Sequence, residues 1–144
     1  MGTPGRSGVR EAGNPPRTGR FAGCVKESVT AQRRVSHHLL LCATPTSGKC
    51  CDPEAGNASW NELKQVIREL DLENPGRPQG IVLRSKADCL RVCERGPILL
   101  IWPDGIWYAE ATADRIRTIV EEHIVHKRPV HDWIFQTTPF QREP

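Results

Sequence analysis

Apolar residues in this chain fall into short runs separated by polar stretches rich in glycine and proline. Residues 35–42 (VSHHLLLC) end in a continuous apolar run and predict a first strand, buried on both faces in its second half. The stretch that follows, TPTSGKCCDPEAGN, reads as a loop because Pro45, Gly48, Pro53 and Gly56 oppose regular structure. Trp60, Leu63, Val66, Ile67 and Leu70 then recur at helical spacing. They predict a helix over about 59–72, capped by Asn57 or Ser59 and stopped by Asn74-Pro75-Gly76-Arg77-Pro78. Gly80–Ser85 (GIVLRS) predicts a second strand and completes a βαβ unit.

After a loop over 86–96, Pro97–Trp102 predicts a third strand. Pro103-Asp104-Gly105 then makes a hairpin turn into a partner strand, Ile106–Glu110. Thr112 caps a second helix whose apolar face is Ile116, Ile119, Val120 and Ile124, with His123 on its edge. The order β-α-β-β-β-α predicts an α/β, thioredoxin-like two-layer sandwich, an order other small two-layer folds share. In the bend-rich C-terminal stretch, Val130, Trp133, Ile134 and Phe135 are candidates to dock on the body or on a second copy. Trp102, Trp107 and Tyr108 read as cross-strand aromatics that hold the hairpin in register.

Charge divides the 144 residues unevenly. Residues 1–34 carry seven Lys/Arg against two Asp/Glu, although the whole chain is only +3. That segment has no apolar period and too little apolar surface to offset its ordering entropy, so it is expected to be a disordered basic extension. The predicted organisation is an extension over 1–34, one domain over 35–135 and a flexible tail over 136–144. With no interleaved aromatics and only Arg33-Arg34 as a tight basic pair, the extension does not point to a nucleic-acid partner. No run reaches the roughly 18–20 apolar residues of a membrane span, and the N-terminus lacks the apolar core of a secretory signal. The expectation is a cytoplasmic protein with no membrane partner.

Chemistry concentrates in the cysteines. Cys24 stands alone in the extension and reads as an ordinary thiol. Cys42, Cys50 and Cys51 border one loop, and Cys89 and Cys93 occupy another. A right-handed βαβ crossover makes the first two strands parallel, so both loops leave the same sheet edge and can offer four thiolates to one centre. Buried structural cysteines prefer apolar faces to Gly/Pro-rich loops. A disulfide framework suits secreted chains, and thiol-disulfide exchange usually needs a Cys-x-x-Cys pair, which is absent. Thiolates select zinc, copper(I) or iron-sulfur centres. Neither Cys42-x8-Cys51 nor Cys89-x3-Cys93 matches a zinc knuckle or a common ferredoxin spacing, so zinc and cluster readings stay comparable on spacing alone. His37 and His38 read as surface residues, and His123, His126 and His131 lack ligand spacing. No nucleophile-base pair or phosphate loop is evident, so catalysis by this chain alone is not expected.

Several motifs together resemble the thioredoxin-like [2Fe-2S] ferredoxins, found alone and as subunits of NADH dehydrogenases and hydrogenases. They are LLLCA at 39–43, Cys89-Leu-Arg-Val-Cys93, Arg95-Gly96-Pro97-Ile98, Trp102-Pro103-Asp104-Gly105-Ile106-Trp107-Tyr108, and the closing Val120-Glu121-Glu122-His123-Ile124 with Pro129-Val130. The resemblance spans about 35–135. It implies a one-electron carrier with a single [2Fe-2S] cluster held by four cysteines, exchanging electrons with redox partner proteins. Cys42, Cys89 and Cys93 match family ligand positions. For the remaining ligand, the family's apolar helix face follows at offsets that reach Trp60, Leu63 and Ile67 when counted from Cys51, but not from Cys50. The implied set is Cys42, Cys51, Cys89 and Cys93.

Lys49, Arg91 and Arg95 stand beside these ligands as candidates to stabilise the reduced state or orient a partner. The interval between Cys42 and Cys51 is longer than in NADH dehydrogenase subunits, which favours a stand-alone carrier. Members of the family are often homodimers. The alternatives to be tested are a structural zinc-binding interaction module and a thiol-based redox protein.

Overall fold

Alternation along the first strand sets the layers. In the computed structural model Leu39 and Leu41 turn to one face of the sheet and pack with Val82, Leu99, Ile101 and Tyr108 under two helices. Cys42, on the other face, packs with Ile98 and Ala109. The structure describes residue 2 and residues 33–43, 45–46, 52–92 and 94–140. The elements run β1 (Val35–Cys42), α1 (Pro53–Glu69), β2 (Ile81–Ala87), β3 (Leu99–Trp102), β4 (Ile106–Tyr108) and α2 (Ala113–Ile119). A π-helical turn (Val120–Val125), a 3-10 turn (His131–Trp133) and β5 (Ile134–Thr137) follow. The sheet order is β2-β1-β3-β4-β5; β1 and β2 are parallel and the other pairs antiparallel. The expected βαβ unit and hairpin are therefore present, with one further strand. No helix among the described residues is long and apolar enough to cross a membrane.

Helix α1 differs from its expected bounds at both ends. It starts at Pro53 after an extended Asp52, because proline at the first helical position lacks only an N–H that would have no partner there. Gly56, expected in a loop, lies in the first turn of the helix, where a Cβ would overlap the Ala43 carbonyl oxygen and glycine alone fits. The helix stops at Glu69, with Asp71 left-handed at φ 53°. The Leu72 and Asp71 N–H groups bond back to the Ile67 and Arg68 carbonyls at 3.0 and 3.1 Å. Leu72 thus continues the apolar period without being helical, and its buried side chain closes the turn.

Strand β2 extends to Ala87 although Arg84, Ser85 and Lys86 are polar, because it is an edge strand and only its ladder to β1 must be satisfied. Pro97 has no N–H to pair, and the β3 ladder starts at Leu99. Strand β4 ends at Tyr108; Glu110 is left-handed at φ 48°, and the Ala111 N–H returns to the Pro97 carbonyl at 2.8 Å. Strand β5 lies on β4 within the stretch expected only to dock, and it includes Gln136 and Thr137 of the predicted flexible tail. Trp107 Nε1 donates to Thr138 Oγ1 at 2.7 Å, and Phe140 stacks on Trp102 with ring centroids 4.4 Å apart. Residues as far as Phe140 of the stretch expected as a flexible tail therefore contact the hairpin. Residues 141–144 and all but Gly2, Arg33 and Arg34 of the predicted extension lie outside the described residues.

The second helix passes into a π turn, shown by the His126 N–H reaching the Glu121 carbonyl at 3.1 Å. His123, expected on an edge, is 3% exposed. Its Nδ1 pairs with the Tyr108 hydroxyl at 2.8 Å, and the Val130 N–H donates to the same hydroxyl oxygen at 3.1 Å. On the surface, Arg117 of α2 reaches Glu62 and Glu69 of α1 at 2.9 and 2.8 Å.

Gly56→Ala is expected to lower stability by about 1–3 kcal/mol, because the added methyl overlaps backbone that cannot rotate away. Denaturant unfolding midpoints of variant and parent check this. Burial pushes the pKa of Tyr108, the sole tyrosine, up to about 12. The folded value lies above the ordinary value of about 10, so this contribution to stability is complete below about pH 10 and is lost as pH rises toward 12. An ultraviolet phenolate titration should show no ordinary tyrosine step while the chain is folded.

Candidate metal centre at the carboxyl ends of β1 and β2

Parallel register places Cys42, the last residue of β1, opposite Ala87, the last residue of β2. Two residues later comes Cys89, so these two cysteines leave the sheet at the same edge. Cys42 is 1% exposed and Cys89 is half-buried. The Cys42 N–H donates to the Ile98 carbonyl at 3.0 Å, fixing the strand end against the segment that enters β3. Leu90, Val92, Trp107 and Phe135 pack around the small apolar group of Cys42, Ile98 and Ala109.

The Cys42 thiol donates to the Asp88 carbonyl at 3.6 Å, a contact belonging to the protonated form. Arg91 has φ 64°, which turns its N–H back toward Cys89 Sγ at 3.2 Å. One oxygen of Asp88 accepts both the Thr46 N–H at 2.6 Å and the Thr46 hydroxyl at 2.7 Å, bracing the segment after β1 against the segment after β2. The hydroxyl bond first, and then the backbone N–H, holds the Asp88 carboxyl below its ordinary pKa. Neither spacing nor periodicity marks this brace in the sequence; its one signal is an acidic residue directly before Cys89.

Cys24, Cys50, Cys51 and Cys93 lie outside the described residues, as does Lys49. Arg91 is exposed, while Arg95 pairs with Glu110 at 3.7 Å and its carbonyl accepts the Glu110 N–H at 2.6 Å. His37 and His38 lie toward the opposite end of β1, away from Cys42. The described donors fit a soft metal or cluster: a sulfur beside an apolar shell, and a second sulfur receiving a backbone N–H.

No family model matches the chain. A 2Fe-2S ferredoxin of Clostridium pasteurianum is 29% identical over 89 residues, which cover 61% of this chain and 84% of that protein. A 2Fe-2S ferredoxin of Aquifex aeolicus is 36% identical over 42 residues, covering 29% of this chain and 38% of that protein. The solved structure of a thioredoxin-like [2Fe-2S] ferredoxin from Aquifex aeolicus aligns with a TM-score of 0.60, over 74% of this chain and 96% of that one, at 19% identity. The fold is thioredoxin-like. In sequence, the chain is similar to 2Fe-2S ferredoxins, as the motifs around Cys42, Cys89 and the Trp102–Tyr108 hairpin lead one to expect.

Asp88→Ala should free the Thr46 amide while leaving the sheet intact. Amide hydrogen exchange is expected to show Thr46 exchanging at least about tenfold faster, as loss of a charged hydrogen bond predicts.

Proposed function

We propose that this chain is a one-electron carrier whose single [2Fe-2S] cluster is held by Cys42, Cys51, Cys89 and Cys93. The observation that carries this reading is the parallel register that sets Cys42 opposite Ala87. It belongs to a thioredoxin-like fold whose solved relative is named as a [2Fe-2S] ferredoxin. When bound, such a cluster takes up and releases one electron at a potential set by its surroundings.

The chain's own residues provide those surroundings. The four thiols give up their protons on ligation, and the Arg91 N–H offsets charge on Cys89. The apolar groups around Cys42 oppose added negative charge, which lowers the potential, whereas donors to sulfur raise it. Asp88 keeps the two cysteine-bearing segments at a constant separation through Thr46. Electrons pass to and from redox partner proteins in the cytoplasm; substrate turnover by this chain alone is not part of the role.

Protein purified in air should be brown, contain two irons per chain, and lose visible absorption on reduction with dithionite. The reduced protein should give a [2Fe-2S] electron paramagnetic resonance signal. Cys89→Ser and Cys93→Ser should each abolish stable cluster assembly, and Cys51→Ser should do so where Cys50→Ser and Cys24→Ser do not. A colourless protein with one zinc per chain, or a metal-free protein with a low-pKa cysteine titrated by alkylation, would overturn the reading.

A further inference from the structure

At the other end of the sheet, three side chains from distant parts of the sequence converge. The ligand atoms of His37 in β1, Asp104 in the β3–β4 turn and His123 in the π turn all lie within 4.8 Å of one another. Asp104 Oδ2 is 2.6 Å from His123 Nε2 and 3.4 Å from His37 Nε2. A register shift in the β1–β2 ladder falls between Val35 and His37, at the position from which His37 turns toward the other two. Ile106, Lys127 and Pro129 join these three residues around a cleft of about 460 Å³.

The hydrogen bonds decide which imidazole nitrogen of His37 faces Asp104 with a lone pair. Ser36 Oγ donates to the Ile81 carbonyl at 3.2 Å and accepts from Arg77 Nη1 at 3.1 Å. Its single proton is therefore committed, and toward His37 Nδ1, at 3.2 Å, it can only accept. His37 thus carries its proton on Nδ1. With that proton on Nδ1, the ring turns an Nε2 lone pair to a carboxylate oxygen 3.4 Å away, and two acceptors facing each other are relieved by a cation held between them.

We propose that His37 Nε2, Asp104 Oδ2 and His123 Nε2 form a binding site for a divalent cation of the zinc class, separate from the cysteine centre. Two imidazoles and one carboxylate suit zinc, and the cleft leaves room for water at the remaining coordination positions. The outer partners are already in place. Ser36 orients His37, and Tyr108, held by the Val130 N–H, orients His123. Without metal, the Tyr108 hydroxyl donates to His123 Nδ1, and Nε2–H donates to Asp104. On ligation the ring keeps one proton, moved from Nε2 to Nδ1, and the Tyr108 hydroxyl turns its own proton off that line, so that its oxygen accepts from Nδ1 as it accepts from the Val130 N–H. The inference uses no cysteine and does not depend on the electron-carrier reading.

The test titrates the full-length purified chain with zinc chloride by calorimetry, with long-range proton–nitrogen magnetic resonance of the imidazoles. One zinc should bind with both Nε2 resonances moving to metal-ligated positions and protons on both Nδ1 atoms. Asp104→Asn, nearly isosteric, and His37→Gln should each weaken binding by about 100-fold, and Ser36→Ala by about tenfold. Circular dichroism and thermal unfolding establish that each variant is folded. Absence of zinc binding by the folded parent, or undiminished binding by folded Asp104→Asn and His37→Gln, would overturn the site. Zinc binding lost in Cys89→Ser but kept in those two variants would assign the metal to the cysteines instead.

Discussion

The parallel ladder between β1 and β2 is the constraint on which the rest of the molecule depends. Parallel strands cannot be joined by a tight turn, so the chain must cross over, and α1 is that crossover. The crossover brings the carboxyl ends of both strands to one edge and fixes Cys42 beside the segment that carries Cys89. Gly56 lets the start of α1 lie directly on Ala43, so the helix covering the core also presses on the residue after Cys42.

The two ends of the sheet carry different chemistry for related reasons. At one end, the thiols of Cys42 at the close of β1 and Cys89 just beyond β2 are held by backbone contacts, and Asp88 braces the segments they lead into. At the other, imidazoles and a carboxylate are held by a hydroxyl network running from Arg77 and Ser36 to Tyr108 and Val130. Softer donors collect where the backbone is irregular, and harder donors where strand, turn and helix converge. The length of β1 separates the two groups, so each environment is built largely by its own neighbours.

Strands and the hairpin were legible because their signals are local. The apolar run ending at Cys42 and the Asp104-Gly105 turn each lie within one element. Helix α1 was legible in its middle, where Leu63, Val66 and Ile67 share a face, and misread at its ends, where Pro53 and Gly56 looked like loop residues. Strand β5 escaped notice because an edge strand beside prolines, with Gln136 and Thr137 exposed, lacks a clear alternating pattern.

What the sequence determined by itself was the order of the elements from β1 to α2 and the places of Cys42 at the end of β1 and Cys89 just after β2, since periodicity and turn chemistry act over a few residues. Tertiary structure alone decided that β5 adds to β4, that Asp88 holds Thr46, and that His37, Asp104 and His123 meet. Each of these unites residues whose separation along the chain has no period. Their proximity is set by packing of the sheet and the π turn, which no local pattern encodes.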